Sequence, residues 1–270
     1  MMPSSVFLTS LDDTLLTPTG RTAVKPAVAQ LIAQQIPLIL VTSKTQAEVA
    51  EWSADLGLVQ PFIVENGSAL YIPADAPFAE PPGEREGDHY VVTYGGPYVQ
   101  ARAGLRVLAN ELHHSLLGYG DMTIERLQRF TGLSAQAAQR AKARAFSESF
   151  FTPKTVTADA LEQAAESIGF RVVRGDRVSY LLSATVNCQT AIAQLLSLYQ
   201  ARSPQSPLVT VGLGSQPEDL EMLTAVERAI VIPQTEGPHP SLADKNWTVA
   251  DAPGPEGWAT TLTALAQESS

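Results

Sequence analysis

Short apolar runs alternate with amphipathic stretches along the first part of the chain. Val6-Phe7-Leu8 is three apolar residues between polar ones, the signal of a short buried strand. Residues 24–34 carry Val24, Val28, Leu31 and Ile32 at helical spacing. Pro37 to Val41 reads as a second buried strand that ends at Thr42-Ser43-Lys44. Residues 45–56 read as a helix, and Phe62-Ile63-Val64 as a third strand stopped by Asn66-Gly67. Apolar strands separated by helices predict a parallel α/β sheet covered on both faces.

The pattern breaks at residues 73–88, where Pro73, Pro77, Pro81, Pro82 and Gly83 are interspersed with acids. That composition predicts a linker or a long exposed crossing. Beyond it the periodicities are mixed. A strand is predicted at 89–93, and helices at 98–117, 124–130, 135–144 (behind Ser134 as N-cap) and 158–168, the last ended by Gly169. Two short strands follow at 170–173 and 178–182. The α/β pattern then returns. A helix at 188–199 leads to a strand at 208–211 that runs into Gly212-Leu213-Gly214. A helix follows from Pro217, then a strand at 229–232 and a closing helix at 257–267. The predicted organisation is a doubly wound parallel-sheet core, residues 1–83 and 183–270, with an α+β cap domain, 84–182, inserted between its parts. An insert over the carboxyl ends of parallel strands roofs a ligand crevice.

Charge narrows the function classes. The 270 residues include 18 Lys plus Arg and 28 Asp plus Glu, a net charge of −10. Such a chain is repelled by phosphate backbones and anionic membranes, which argues against nucleic acid and membrane as partners. A hydrophobic fraction of 44% supports a full core. The single cysteine, Cys188, excludes an intrachain disulfide and a cysteine-rich zinc site. The first residues lack a basic start with an apolar run behind it, and no apolar stretch spans a bilayer, so a reducing, cytoplasmic setting is expected. His113-His114 reads as helix surface, and Trp52, Trp247 and Trp258, on separate segments, as packing residues.

Candidate chemistry sits at strand ends. The first strand exits into Thr9-Ser10-Leu11-Asp12-Asp13-Thr14. Carboxylates there need solvent, donors or a cation, or else serve as turn caps. Thr42, Ser43 and Lys44 at the second strand's end combine hydroxyls and a cation suited to phosphate. Gly212-Leu213-Gly214 ends a later strand, with Glu218 and Asp219 opening the next helix. On successive strands of one sheet, these groups converge on one crevice.

With these segments in this order the chain resembles the haloacid dehalogenase superfamily, and within it the mannosyl-3-phosphoglycerate phosphatases. The resemblance rests on residues 6–16, 41–48, 62–71 (with Val64-Glu65-Asn66-Gly67), 117–144 and 211–223. Leu117-Gly118-Tyr119-Gly120-Asp121-Met122-Thr123, Thr131-Gly132-Leu133-Ser134 and Arg140-Ala141-Lys142-Ala143-Arg144 resemble that family's cap. The resemblance implies Mg²⁺-dependent hydrolysis of a phosphorylated sugar or glycerate derivative. One aspartate attacks phosphorus, a second acts as acid and base, a lysine neutralises the phosphoryl oxygens, and further acids hold the metal. It also marks Asn66, Tyr119, Asp121, Arg140, Lys142 and Arg144 as candidate substrate and cap residues.

Several of the implied groups are replaced. Ser10 stands at the nucleophile position, while Asp12 keeps the acid/base and metal position and Thr14 is retained. Cys188 falls where the lysine is implied, and the chain has no lysine between Lys154 and Lys245. In the metal motif, Gly214-Ser215-Gln216-Pro217-Glu218-Asp219, Ser215 replaces the principal carboxylate and Asp219 remains. A two-residue slip would make Asp12 the nucleophile, but Val6 and Leu8 fix the strand's exit. A one-residue slip would turn Asp13 to the opposite face. The expectation is a member with weakened Mg²⁺ binding and impaired phosphatase chemistry, retained to bind a sugar phosphate or a partner. The alternative is an active Mg²⁺-dependent phosphomonoester hydrolase with a rearranged site.

Overall fold

The computed structural model describes residues 5–11 and 20–268. The core's first part comprises β1 (Ser5–Thr9), α1 (Gly20–Ala33), β2 (Leu38–Val41), α2 (Gln46–Leu56), β3 (Phe62–Val64), β4 (Ala69–Pro73), β5 (Glu84–Glu86) and β6 (His89–Thr93). The insert comprises α3 (Tyr98–Glu111), α4 (Ile124–Thr131), α5 (Ala135–Lys142), β7 (Glu148–Phe151), α6 (Ala158–Ser167), β8 (Phe170–Val173) and β9 (Val178–Ser183). The chain then returns through α7 (Cys188–Arg202), β10 (Val209–Gly214), α8 (Leu220–Thr224), β11 (Arg228–Val231), α9 (Pro240–Ala243), β12 (Thr248–Val249) and α10 (Gly254–Glu268).

One nine-stranded sheet runs in the order β12-β11-β10-β1-β2-β3-β4-β6-β5. It is parallel from β12 to β3 and antiparallel from β3 onward. Every residue of β1, β2 and β3 is buried, as continuous apolar strands require when both faces are covered. The two-residue period sends Phe7, Leu38 and Leu40 to one face, against Val24 and Leu31 of α1 and Trp258 of α10. Val6, Leu8 and Ile39 face the other way, against Ile192 and Leu195 of α7. Trp258 is fully buried, and its indole N–H donates to Thr9 Oγ1 at 2.9 Å, fixing α10 to the end of β1. No helix among the described residues is long and apolar enough to cross a membrane.

The structure corrects the expected linker. Residues 84–93 form β5 and β6 and extend the core sheet, so the junction expected at 83/84 falls inside it. The chain leaves the sheet after Thr93 and enters α3 behind Pro97. β5 is hard to read because Glu84-Arg85-Glu86 is fully exposed and has no apolar alternation. Charged side chains on an outermost strand also discourage pairing with other chains. The extension is tied to β3 by stacked rings of Phe62 and Tyr71, with centroids 5.1 Å apart.

The insert carries a three-stranded antiparallel sheet, β7-β9-β8. Helices α3 and α6 cover it through Leu105, Leu108 and Leu161. Helices α4 and α5 form a smaller cluster with Tyr119 and Met122. Helix α3 ends at Glu111 rather than at 117, and the backbone soon turns left-handed at His113 (φ 47°). The apolar pattern does not predict β7, whose first residue, Glu148, is a buried acid.

A buried carboxylate holds insert and core together. Glu65, 1% exposed, follows β3 with a left-handed backbone (φ 48°). It accepts from the amides of Ala145 (2.8 Å), Phe146 (3.2 Å) and Ser147 (2.9 Å), and from Ser147 Oγ (2.7 Å). Arg144 lies 3.5 Å from Glu65 and donates from Nη2 to the Ser43 carbonyl at 2.9 Å. Removing one partner of a buried charge pair costs about 3–5 kcal/mol. We expect Glu65→Gln to lose a comparable amount. Hydrogen exchange should then show faster exchange of the amides at 145–147 while those of β1 and β10 stay protected. Unchanged exchange at 145–147 would show that the carboxylate does not hold this junction.

Glu148 gives the insert a pH dependence. Its pKa is raised above the ordinary carboxylate value, chiefly by burial, against the lowering effect of the Gly120 N–H and Arg102. The folded state therefore holds this proton more tightly than the unfolded chain does. Its stabilising contribution is present below the unfolded pKa and is lost as pH rises through the raised value. Glu148→Gln, which stays neutral, should flatten that loss as pH rises above the ordinary carboxylate range in a series of chemical denaturations. A variant profile parallel to the wild type would exclude Glu148 as its source.

Candidate functional site

Parallel register brings the carboxyl ends of β1, β2, β3 and β10 to one edge of the sheet. The Ser10 amide continues the ladder past β1, donating to the Leu213 carbonyl at 3.1 Å. Thr42 continues past β2, its N–H donating to the Ile63 carbonyl at 3.0 Å. A cavity of about 210 Å³ opens here, lined in part by Ser10, Thr42, Ser43, Asn66, Cys188 and Asp219. The expected nucleophile position, lysine position and metal motif thus share one wall system.

Asp219 is the centre of that cavity's hydrogen bonding. Its Oδ2 accepts from Ser10 Oγ at 2.9 Å, from the Ser215 amide at 2.7 Å and from the Gln216 amide at 3.0 Å. The turn that brings these amides inward is tight: a Cβ on Gly214 would lie 2.7 Å from Asp219 Cβ. Ser215 is buried beside it.

Cys188 begins α7, behind Asn187, whose side chain caps the helix by accepting from the Gln189 amide at 2.8 Å. Its amide donates to Glu221 Oε2 at 3.0 Å. Burial pushes the thiol pKa up, and the carboxylates of Glu221 and Asp219 push it further. Cys188 is therefore a neutral thiol where the resemblance implies a cation. The Glu65-Asn66-Gly67 turn rests on this helix start, and a Cβ on Gly67 (φ 91°) would lie 2.4 Å from Cys188 Cα. Asn66 is left-handed (φ 58°) and 7% exposed. Its Nδ2 donates to nothing among the described residues.

Other candidates lie elsewhere. Lys44 lines a second cavity of about 200 Å³, beneath the insert, with Tyr119, Arg144, Ser149, Arg177 and Tyr180. Its Nζ is 3.6 Å from Glu48. Ser43 lines both cavities, and its Oγ donates to the Tyr180 hydroxyl at 3.0 Å between them. The Thr42–Lys44 segment therefore divides, because successive residues leaving β2 point to different sides. Arg140 pairs with Glu51 at 2.5 Å, a further tie between insert and core. Asp121 pairs with Arg102 at 2.8 Å and lines a separate groove with His113 and His114. Lys142 donates to the Met122 carbonyl. These three do not line the cavity at Ser10. Asp12, Asp13 and Thr14 lie outside the described residues.

Sequence reasoning missed Arg171, Arg174 and Glu221, which line the first cavity together with Glu218. Alternation along Phe170-Arg171-Val172-Val173 marks Arg171 as opposite in facing to Val172. Only the docking of the insert shows that Arg171 faces the core.

The Mg²⁺ implied by the resemblance needs several oxygen ligands, mostly anionic. The described residues do not fit it. They include no group of three or more His, Cys, Asp or Glu arranged to hold a metal ion. Beside Ser10 and Ser215, Asp219 contributes one carboxylate, and its Oδ2 is already engaged by three donors.

The fold is that of haloacid dehalogenase-type phosphatases. A HAD subclass IIB sugar phosphatase superposes with a TM-score of 0.66 at 14% identity, covering 97% of this chain and 98% of its own. The sucrose-phosphatase of Synechocystis sp. PCC6803 superposes with a TM-score of 0.60 at 14% identity, covering 98% and 99%. No family model matches the chain. In sequence it is 30% identical over 266 residues to the glucosyl-3-phosphoglycerate/mannosyl-3-phosphoglycerate phosphatase of Persephonella marina, covering 97% of each. It is 32% identical over 227 residues to the mannosyl-3-phosphoglycerate phosphatase of Pyrococcus furiosus, covering 84% of this chain and 90% of that one. The chain belongs to the mannosyl-3-phosphoglycerate phosphatase family of the haloacid dehalogenase superfamily.

The Ser10–Asp219 contact makes a testable demand. Ser10→Asp exchanges a donor to Asp219 for a second carboxylate, and like charges in one site oppose each other. The loss of a hydrogen bond to a charged group predicts a destabilisation of about 1.5–3 kcal/mol in metal-free buffer. Millimolar Mg²⁺ should recover the melting temperature of this variant and leave the wild type unmoved. A Mg²⁺-dependent rise in the wild type would show that the native donor set already holds the ion.

Proposed function

We propose that this chain binds a phosphorylated sugar or glycerate derivative, of the kind named for its relatives, but hydrolyses it poorly. One observation carries this reading. The group at the nucleophile position is a serine hydroxyl that donates into the carboxylate left from the metal motif. A hydroxyl is largely protonated at neutral pH and needs a base to attack phosphorus. Cys188 supplies no charge to the phosphoryl oxygens, and Ser215 supplies none to a metal. The cavity and the insert above it remain, which supports retained binding.

A second reading is favoured by the same contact. Ser10 Oγ lies within proton-transfer reach of Asp219, which would act as its base in a rearranged hydrolase. Against this, the Ser215 and Gln216 amides compete for the same oxygen.

Phosphate release from mannosyl-3-phosphoglycerate and p-nitrophenyl phosphate, with Mg²⁺, separates the two. Loss of a nucleophile costs roughly 10⁶-fold in turnover elsewhere. We expect no release above background from the wild type, and a gain in the combined Ser10→Asp, Cys188→Lys and Ser215→Asp variant. Wild-type turnover that Asp12→Ala or Asp219→Ala abolishes would establish the hydrolase instead.

A further inference from the structure

We propose that Arg171, carried by β8 of the insert, is the cation that meets the phosphoryl group in this chain, and that Glu221 occupies it until a phosphate arrives. This rests on the retained-binding reading above. The first cavity needs positive charge to hold a phosphate dianion, and Cys188 supplies none. Arg171 lines that cavity beside Cys188, Asn66, Thr42 and Ser10.

The contacts of Glu221 outline what an oxyanion would take. Its Oε1 accepts from Arg171 Nη2, and its Oε2 accepts from the Cys188 amide at the start of α7. One carboxylate thus bridges a guanidinium and a helix N-terminal N–H, the pair of donors that a phosphate oxygen edge also suits. Arg171 stays positioned without Glu221, because its Nη1 donates to the Val186 carbonyl at 2.8 Å. Independently, Asn66 lines the same cavity with Nδ2 buried and unpartnered among the described residues, a donor that a ligand oxygen would satisfy.

A guanidinium presents a planar fork to phosphate where a lysine presents a point charge. Placing it on the insert also makes anion binding depend on the insert being seated on the core. Phosphate would take over Arg171 and the Cys188 amide, and Glu221 would turn away, relieving its repulsion of the dianion.

Calorimetric titration with inorganic phosphate, and in parallel with mannosyl-3-phosphoglycerate, tests this on the full chain. Arg171→Gln should weaken phosphate binding at least tenfold, Arg171→Lys should retain part of it, and Glu221→Gln should tighten it several-fold. Arg171→Gln binding phosphate as the wild type does would overturn the proposal and leave the retained-binding reading standing. A wild type that binds neither ligand would overturn both. If Arg171→Gln does not fold, Glu221→Gln decides: tighter phosphate binding supports the assignment, and unchanged or weaker binding rejects it.

Discussion

A carboxylate buried between two layers sets the geometry of this molecule. Glu65 is almost wholly buried, so its oxygens need donors in place of water, and it takes them from a segment distant in sequence, residues 145–147. Arg144 closes the arrangement by reaching the Ser43 carbonyl at the end of β2 and packing its guanidinium over Tyr180, 5.3 Å from the ring centroid. The insert is therefore held at places other than its two chain crossings, the Arg140–Glu51 pair among them. Both cavities owe their walls to this seating. Ser43 lies at their boundary because its backbone is tied to Arg144 and its hydroxyl to Tyr180.

Within that frame the two cavities differ chemically. The one at Ser10 is organised around acceptors: Asp219 draws in a hydroxyl and two amides, and Glu221 draws in an amide and Arg171. The one beneath the insert carries Lys44, Arg144 and Arg177 with tyrosine hydroxyls. In the first, one oxygen of Asp219 gathers a hydroxyl and two backbone amides. Ser10 gives that oxygen its hydroxyl, whereas Ser215 gives it a backbone amide.

Much of this was legible in the chain. The strands at Val6, Leu38 and Phe62 announced themselves because burial on both faces leaves no polar alternation to confuse the reading. Ser10, Thr42 and Asp219 were legible as crevice candidates because they follow strand ends, and all three line the first cavity. β5 was not legible, since an exposed Glu84-Arg85-Glu86 strand has no apolar alternation and is defined by its backbone pairing with β6. β7 was hidden because its Glu148 is buried against the usual preference for acids at the surface. Arg171, Arg174 and Glu221 were unreadable as site residues because nothing local distinguishes a cleft charge from a solvated one.

The chain by itself determined the alternation of strand and helix and the apolar strands at the centre of the core. These follow from periodicity and residue chemistry, which act over a few positions. Tertiary structure alone decided that Lys44 leaves the first cavity and that Glu65 joins insert to core. It also decided that a guanidinium from the insert stands beside the neutral thiol of Cys188. Those outcomes depend on contacts between segments far apart in the chain, where burial and charge pairing, rather than local pattern, choose the partners.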